Sequence, residues 1–117
     1  MNLIDHIHRQ MRFSLQAFGP GSRQKGVVDH IRKELVEIEE GDNDHEEWVD
    51  AWLLSTDGLW RSVRDNPKFS DLTDREVAEM ICDRIDRKQS KNERREWPDW
   101  QTQSPDAAIE HVRGIED

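Results

Sequence analysis

Apolar residues in this chain recur at every third or fourth position and nowhere alternate with polar ones over a strand's length, which restricts the fold to packed helices. The pattern is interrupted at Gly19-Pro20-Gly21-Ser22, Gly41-Asp42-Asn43-Asp44, Asn66-Pro67, Trp97-Pro98 and Ser104-Pro105, all turn-forming combinations. Four helices are predicted between these breaks. The first runs from Leu3 to about Ala17, with Leu3, Ile4, Ile7, Met11, Leu15 and Phe18 near one side. The second covers about Val27 to Glu40. The third opens after Asp44, an N-cap followed by acidic residues, and continues to about Asp65. The fourth begins near Thr73, where Glu76 completes a capping box, and reaches about Glu96 ahead of Pro98. A short tail helix is expected from Ser104, with Pro105 in its first turn and Gly114 near its end. The prediction is one all-α domain over residues 1–117.

Charged residues, at 37%, outnumber hydrophobic ones, at 33%, so the core is thin and a second subunit is expected to complete the burial. Trp48, Trp52 and Trp60 supply large apolar surfaces at helical spacing. The net charge of −9 repels phosphate backbones and argues against nucleic acid as a partner. A phosphate-bearing substrate then calls for metal ions. Cys82 is the one cysteine, which excludes an intramolecular disulfide and a cysteine-built zinc site. Charge breaks the N-terminal segment too early for a signal peptide, and no run approaches the ~18 apolar residues of a membrane span. A cytoplasmic location, with no membrane partner, is expected.

Two carboxylate pairs carry the chemistry. Glu34 and Glu37 stand three apart on the second helix, Glu47 and Asp50 three apart on the third, and the turn at Gly41 to Asp44 makes these helices antiparallel neighbours. Four carboxylates facing a shared centre suit Mg²⁺ or Mn²⁺. In so acidic a chain the same pairs also arise on solvated helix faces. On the third helix Glu47, Asp50, Leu54, Asp57 and Arg61 lie opposite Trp48, Val49, Trp52, Leu53, Leu59 and Val63, and either face can be the wet one.

Along the fourth helix, Val77, Ile81 and Ile85 define an inward stripe that continues through Lys88, Asn92 and Arg95. A core line that turns cationic is suited to a polyphosphate, with Arg offering a bidentate fork and Lys a point charge. The bland counterpart is a helix end fraying into solvent.

Glu34-x-x-Glu37, Glu47-x-x-Asp50 and Lys88-x-x-x-Asn92-x-x-Arg95-x-Trp97-Pro98 together resemble the MazG-like all-α nucleotide pyrophosphohydrolases. Phe18-Gly19-Pro20-Gly21, Asp29 to Leu35, Glu47-Trp48-Val49-Asp50 and Asp57-Gly58-x-x-Arg61 are similar, more narrowly, to the dATP/dGTP diphosphohydrolase branch, which includes phage MazZ-type enzymes. The chain departs from the wider family at Lys33, a position often acidic there, and in the short gap from Glu37 to Glu47. The resemblance implies a MazG-like bundle of about four main helices plus a short C-terminal helix, and the thin core, with apolar and Trp residues on more than one helix face, predicts a homodimer or homotetramer. The resemblance further implies that Glu34, Glu37, Glu47 and Asp50 bind Mg²⁺ or Mn²⁺ while water attacks the α-phosphorus of a purine deoxynucleoside triphosphate, giving dNMP and pyrophosphate. Lys88, Asn92 and Arg95 are the expected phosphate contacts.

For the base, the candidates are Phe18, Trp97 and the loop from Gly19 to Arg23, with His30 one turn before Glu34. Core packing is the reading preferred for Phe18, a surface or hydrogen-bonded role is preferred for His30, and core packing is expected of Cys82. The rival reading of the whole chain is a non-enzymatic acidic helical interaction module, which leaves Lys88, Asn92 and Arg95 without a role.

Overall fold

The computed structural model describes residues 1–114; the last three positions of the expected domain lie outside them. Its helices are α1 (Leu3–Phe18), α2 (Gln24–Glu40), α3 (His45–Arg64) and α4 (Asp74–Arg94), with single 3-10 turns at Pro67–Phe69 and Trp100–Thr102. The fold is all-helical, as the spacing predicts, with no strand among the described residues.

Local chemistry sets the helix starts. The Asn2 side chain accepts from the backbone N–H groups of Ile4 and Asp5, at 2.8 and 3.2 Å, and opens α1. Asp44 accepts from the Glu46 N–H at 3.0 Å and opens α3. Thr73 and Glu76 form the reciprocal capping box at 3.0 and 3.1 Å. Helix α2 starts three residues ahead of the expected Val27, because Arg23 takes a left-handed conformation (φ 47°) and turns the chain into the helix without a side-chain cap.

The chain divides into two units, one ending at Cys82 and the other beginning at Asp83, with α4 contributing to both. In the first unit, Ile7 and Met11 of α1, Trp60 and Val63 of α3, and Val77, Ala78 and Ile81 of α4 form the buried cluster. Arg75 of α4 pairs with Asp5 of α1 at 2.7 Å, and Arg64 of α3 pairs with Asp74 at 2.5 Å. Helix α2 packs along α3, yet buries only Val27 and Glu34. Gly58 permits that approach, since a Cβ there would stand 3.4 Å from Val27 Cγ1. Leu35 and Val36 of α2, with Trp48, Val49 and Trp52 of α3, remain exposed.

In the second unit the chain after α4 turns at Trp100–Thr102, ahead of the expected Ser104, and residues 104–114 carry no helix. The short C-terminal helical element is therefore the 3-10 turn, capped by Asp99, whose side chain accepts from the Gln101 N–H at 3.0 Å. The tail is instead fixed by the Val112 N–H, which donates to the Glu96 carbonyl at 2.8 Å. Trp97 packs edge-on against His111 with ring centroids 5.7 Å apart.

Candidate active site

A cleft of about 490 Å³ opens in the first unit. Helix α1 lines it with His6, Arg9, Gln10, Phe13, Ser14 and Phe18, α2 with His30 and Glu34, and α3 with Asp50, Leu53, Leu54 and Asp57. The lining thus combines apolar and aromatic side chains with the carboxylates of Glu34, Asp50 and Asp57. That combination and volume suit a nucleotide-sized molecule held by its flat base and its charged end.

The carboxylates gather around Glu34. It is 6% exposed, and its Oε1 has no hydrogen-bond partner. Burial first, then the charges of Glu37 and Asp50, a hydrogen bond with Glu37 and the charge of Glu47 hold its carboxyl above the ordinary carboxylate range. The other three acids of the two predicted pairs therefore all act on Glu34. Glu47 is half-buried and its Oε2 likewise lacks a partner. It lies over Gly41, where a Cβ would stand 3.0 Å from Glu47 Oε2 and 2.8 Å from the Glu37 carbonyl. Gly41 has φ −88°, open to any residue, so glycine's use at this position is the space it leaves. Among the described residues no three His, Cys, Asp or Glu side chains converge closely enough to hold a metal ion as they stand. The donor chemistry fits a hard divalent cation nonetheless: the set is all carboxylate oxygen, and two buried oxygens lack a partner.

Beneath the cleft lies a buried network that the sequence offered only as part of a motif. Asp57 Oδ2 accepts from Arg61 Nε at 3.0 Å, and its Oδ1 accepts from the Trp60 indole N–H at 2.9 Å and from the Ser14 hydroxyl. Arg61 Nη1 donates to the carbonyls of Gly19 and Gly21 at 2.8 and 2.9 Å. Those glycines have φ of 84° and 94°, a conformation other residues adopt only with strain. Arg61 thereby fixes the α1–α2 loop at the cleft's rim. There the Arg23 guanidinium sits 5.5 Å from the Phe18 ring centroid, and Phe18, Arg23 and His30 line a small adjoining recess. Phe18 is exposed rather than core, contrary to the reading preferred from the sequence, because α1 ends at this residue and it lies outside the buried cluster. Cys82 does pack against the core, and burial pushes its thiol up.

The remaining candidates belong to the second unit. On the predicted stripe of α4, Ile85 and Lys88 are both exposed. Asn92 and Arg95 are half-buried, and Arg95 Nη1 donates to Asn92 Oδ1 at 2.8 Å. The Trp97 indole donates to the Asn92 carbonyl at 2.7 Å.

The α2–α3 hairpin thus sets Glu34 and Asp50 on the lining of the cleft, with Glu37 and Glu47 also acting on Glu34. The family model described as dATP/dGTP pyrophosphohydrolase matches residues 6–115, and the chain belongs to that family. It is accordingly a nucleoside triphosphate diphosphatase with a nucleotide substrate, which sets aside the interaction-module reading. No curated protein and no solved structure matches the chain.

Proposed function

We propose that this chain hydrolyses purine deoxynucleoside triphosphates, dATP and dGTP, to dNMP and pyrophosphate in a reaction that depends on Mg²⁺ or Mn²⁺. Water attacks the α-phosphorus, the bond from that phosphorus to the α,β-bridging oxygen breaks, and pyrophosphate leaves with the electron pair. Glu34, Glu37, Glu47 and Asp50 hold the cation. Bound there, a divalent ion supplies charge neutralisation for the phosphates and a lowered pKa for water. The base occupies the aromatic and apolar wall near Phe18, with Arg23 and His30 beside it. Lys88, Asn92 and Arg95 serve as phosphate contacts, and Trp97 as a further substrate contact. A single domain over residues 1–117, assembled as a homodimer or homotetramer in the cytoplasm, of a phage-infected host if phage-encoded, completes the proposal. Neither nucleic acid nor membrane is a partner; among the described residues no helix is long and apolar enough to cross a membrane.

The observation that carries this reading is Glu34, a buried carboxylate with an unpartnered oxygen in the field of three other carboxylates. A buried charge so placed is costly without a cation. The test is a panel of deoxynucleoside triphosphates assayed with Mg²⁺, with Mn²⁺ and with a chelator. Hydrolysis of the purine members that stops on chelation supports the proposal; hydrolysis unaffected by chelation contradicts it.

A further inference from the structure

Three polar side chains of α1, His6, Gln10 and Ser14, lie four residues apart along the cleft wall. Ser14 is committed to Asp57 and Arg61. Gln10 is half committed: its Nε2 donates to the Leu53 carbonyl of α3 at 2.6 Å, while its Oε1 is buried with no partner. That bond fixes the amide's polarity. A carbonyl oxygen only accepts, so the atom facing Leu53 is the NH₂ and the other end of the amide is an acceptor. His6 Nε2 is also buried and unpartnered, with its ring 5.7 Å from that of Trp52. A neutral imidazole changes tautomer, however, and so dictates no polarity to a ligand.

An acceptor of fixed polarity selects a ligand donor. Adenine carries an exocyclic amino group at C6, where guanine carries a carbonyl oxygen, and Phe13, Leu53 and Leu54 line the same cleft as Gln10, surfaces suited to the flat faces of a base rather than to its phosphates. We propose that Gln10 is a specificity-determining residue whose Oε1 accepts a hydrogen bond from the C6 amino group of adenine. This deepens the proposed function and rests on its placing of the base at this wall. A buried acceptor left unmatched costs free energy, so a base lacking the amino group is disfavoured.

The test is equilibrium binding, which needs no turnover. Titration calorimetry compares dAMP with its 6-H analogue, the purine deoxyribonucleotide that lacks the amino group, for the parent and for Gln10→Met. The parent should bind dAMP roughly 10-fold more tightly, and the ratio should fall toward one in Gln10→Met. A ratio is insensitive to the fraction of folded protein, so a partly unfolded variant still reports. A parent ratio of one, as would follow if Gln10 and His6 satisfied each other, overturns the inference; so do a Gln10→Met ratio equal to the parent's and an absence of binding. Triphosphate hydrolysis by the parent is measured separately. Hydrolysis with equal binding of the two nucleotides removes Gln10's role and leaves the reaction standing, whereas amino-selective binding without hydrolysis does the reverse.

Discussion

Arg61 and Asp57, one turn apart on α3, form an ion pair at 3.0 Å with side chains only 1% and 7% exposed. Arg61 also carries the Gly19 and Gly21 carbonyls, so a single side chain links the helix beneath the cleft to the loop at its rim. Replacing Arg61 with Ala leaves the Asp57 carboxylate buried without its cation and releases the loop. A loss of about 3–5 kcal/mol is expected, as for a broken buried pair, and urea denaturation measures it. A variant within about 1 kcal/mol of the parent, the range of exposed pairs, would show that the network contributes little to the fold.

Glu34 should make stability depend on pH in a direction opposite to most carboxylates. Its carboxyl is held above the ordinary range in the folded chain, chiefly by burial and the charge of Glu37, so the folded state binds its proton more readily than the unfolded state. The resulting stabilisation is full below the ordinary carboxylate pKa and is lost as pH rises through the raised value. With chelator present, Glu34→Gln should therefore exceed the parent in urea midpoint at neutral pH, and the gap should close in acid. Equal midpoints at neutral pH would mean that Glu34 bears no such strain.

Gly41→Ala should weaken cation binding while leaving the helices formed. The new Cβ meets the Glu37 carbonyl at 2.8 Å and Glu47 Oε2 at 3.0 Å, so the backbone shifts or the carboxylate is displaced. Loss of Mn²⁺ affinity in the 10- to 100-fold range of supporting-residue substitutions is expected, read by titration calorimetry with helicity checked by circular dichroism. Unchanged affinity would place Glu47 outside the cation site.

Assembly is expected to cover the apolar residues that α2 and α3 leave exposed, among them Val36 and Val49. Light scattering should return two or four times the chain mass of 13.9 kDa, and Val36→Glu with Val49→Glu should lower it. A stable 13.9 kDa species across micromolar concentrations would contradict this.

The helices and their caps were legible because both are local: Asp44 and the Thr73–Glu76 box sit next to the groups they satisfy. The interaction of Glu34 with Glu37, Glu47 and Asp50 was legible because three-residue spacing and a short turn constrain it. The α1 wall was not. His6, Gln10 and Ser14 have helical spacing, but Leu53, the partner of Gln10, and Asp57 and Arg61, the partners of Ser14, lie more than forty residues away, and only tertiary packing joins them. Arg61 was visible as part of a motif, although the loop carbonyls that give it a role were not. Lys88 shows the converse: periodicity sets it on one line with Ile85, and exposure, which periodicity does not report, is found at both.

Chromatography of the products formed from dATP and dGTP, with Mg²⁺ or Mn²⁺ and no added pyrophosphatase, distinguishes attack at the α-phosphorus from attack at the γ-phosphorus. The parent should release dNMP and pyrophosphate, preferring purine over pyrimidine substrates. Glu34→Gln, Glu37→Gln, Glu47→Gln and Asp50→Asn should each stay helical and lose most of that release, because an amide keeps the size of the carboxylate but not the charge that holds the cation. Orthophosphate with dNDP, or carboxylate variants as active as the parent, would contradict the proposed reaction.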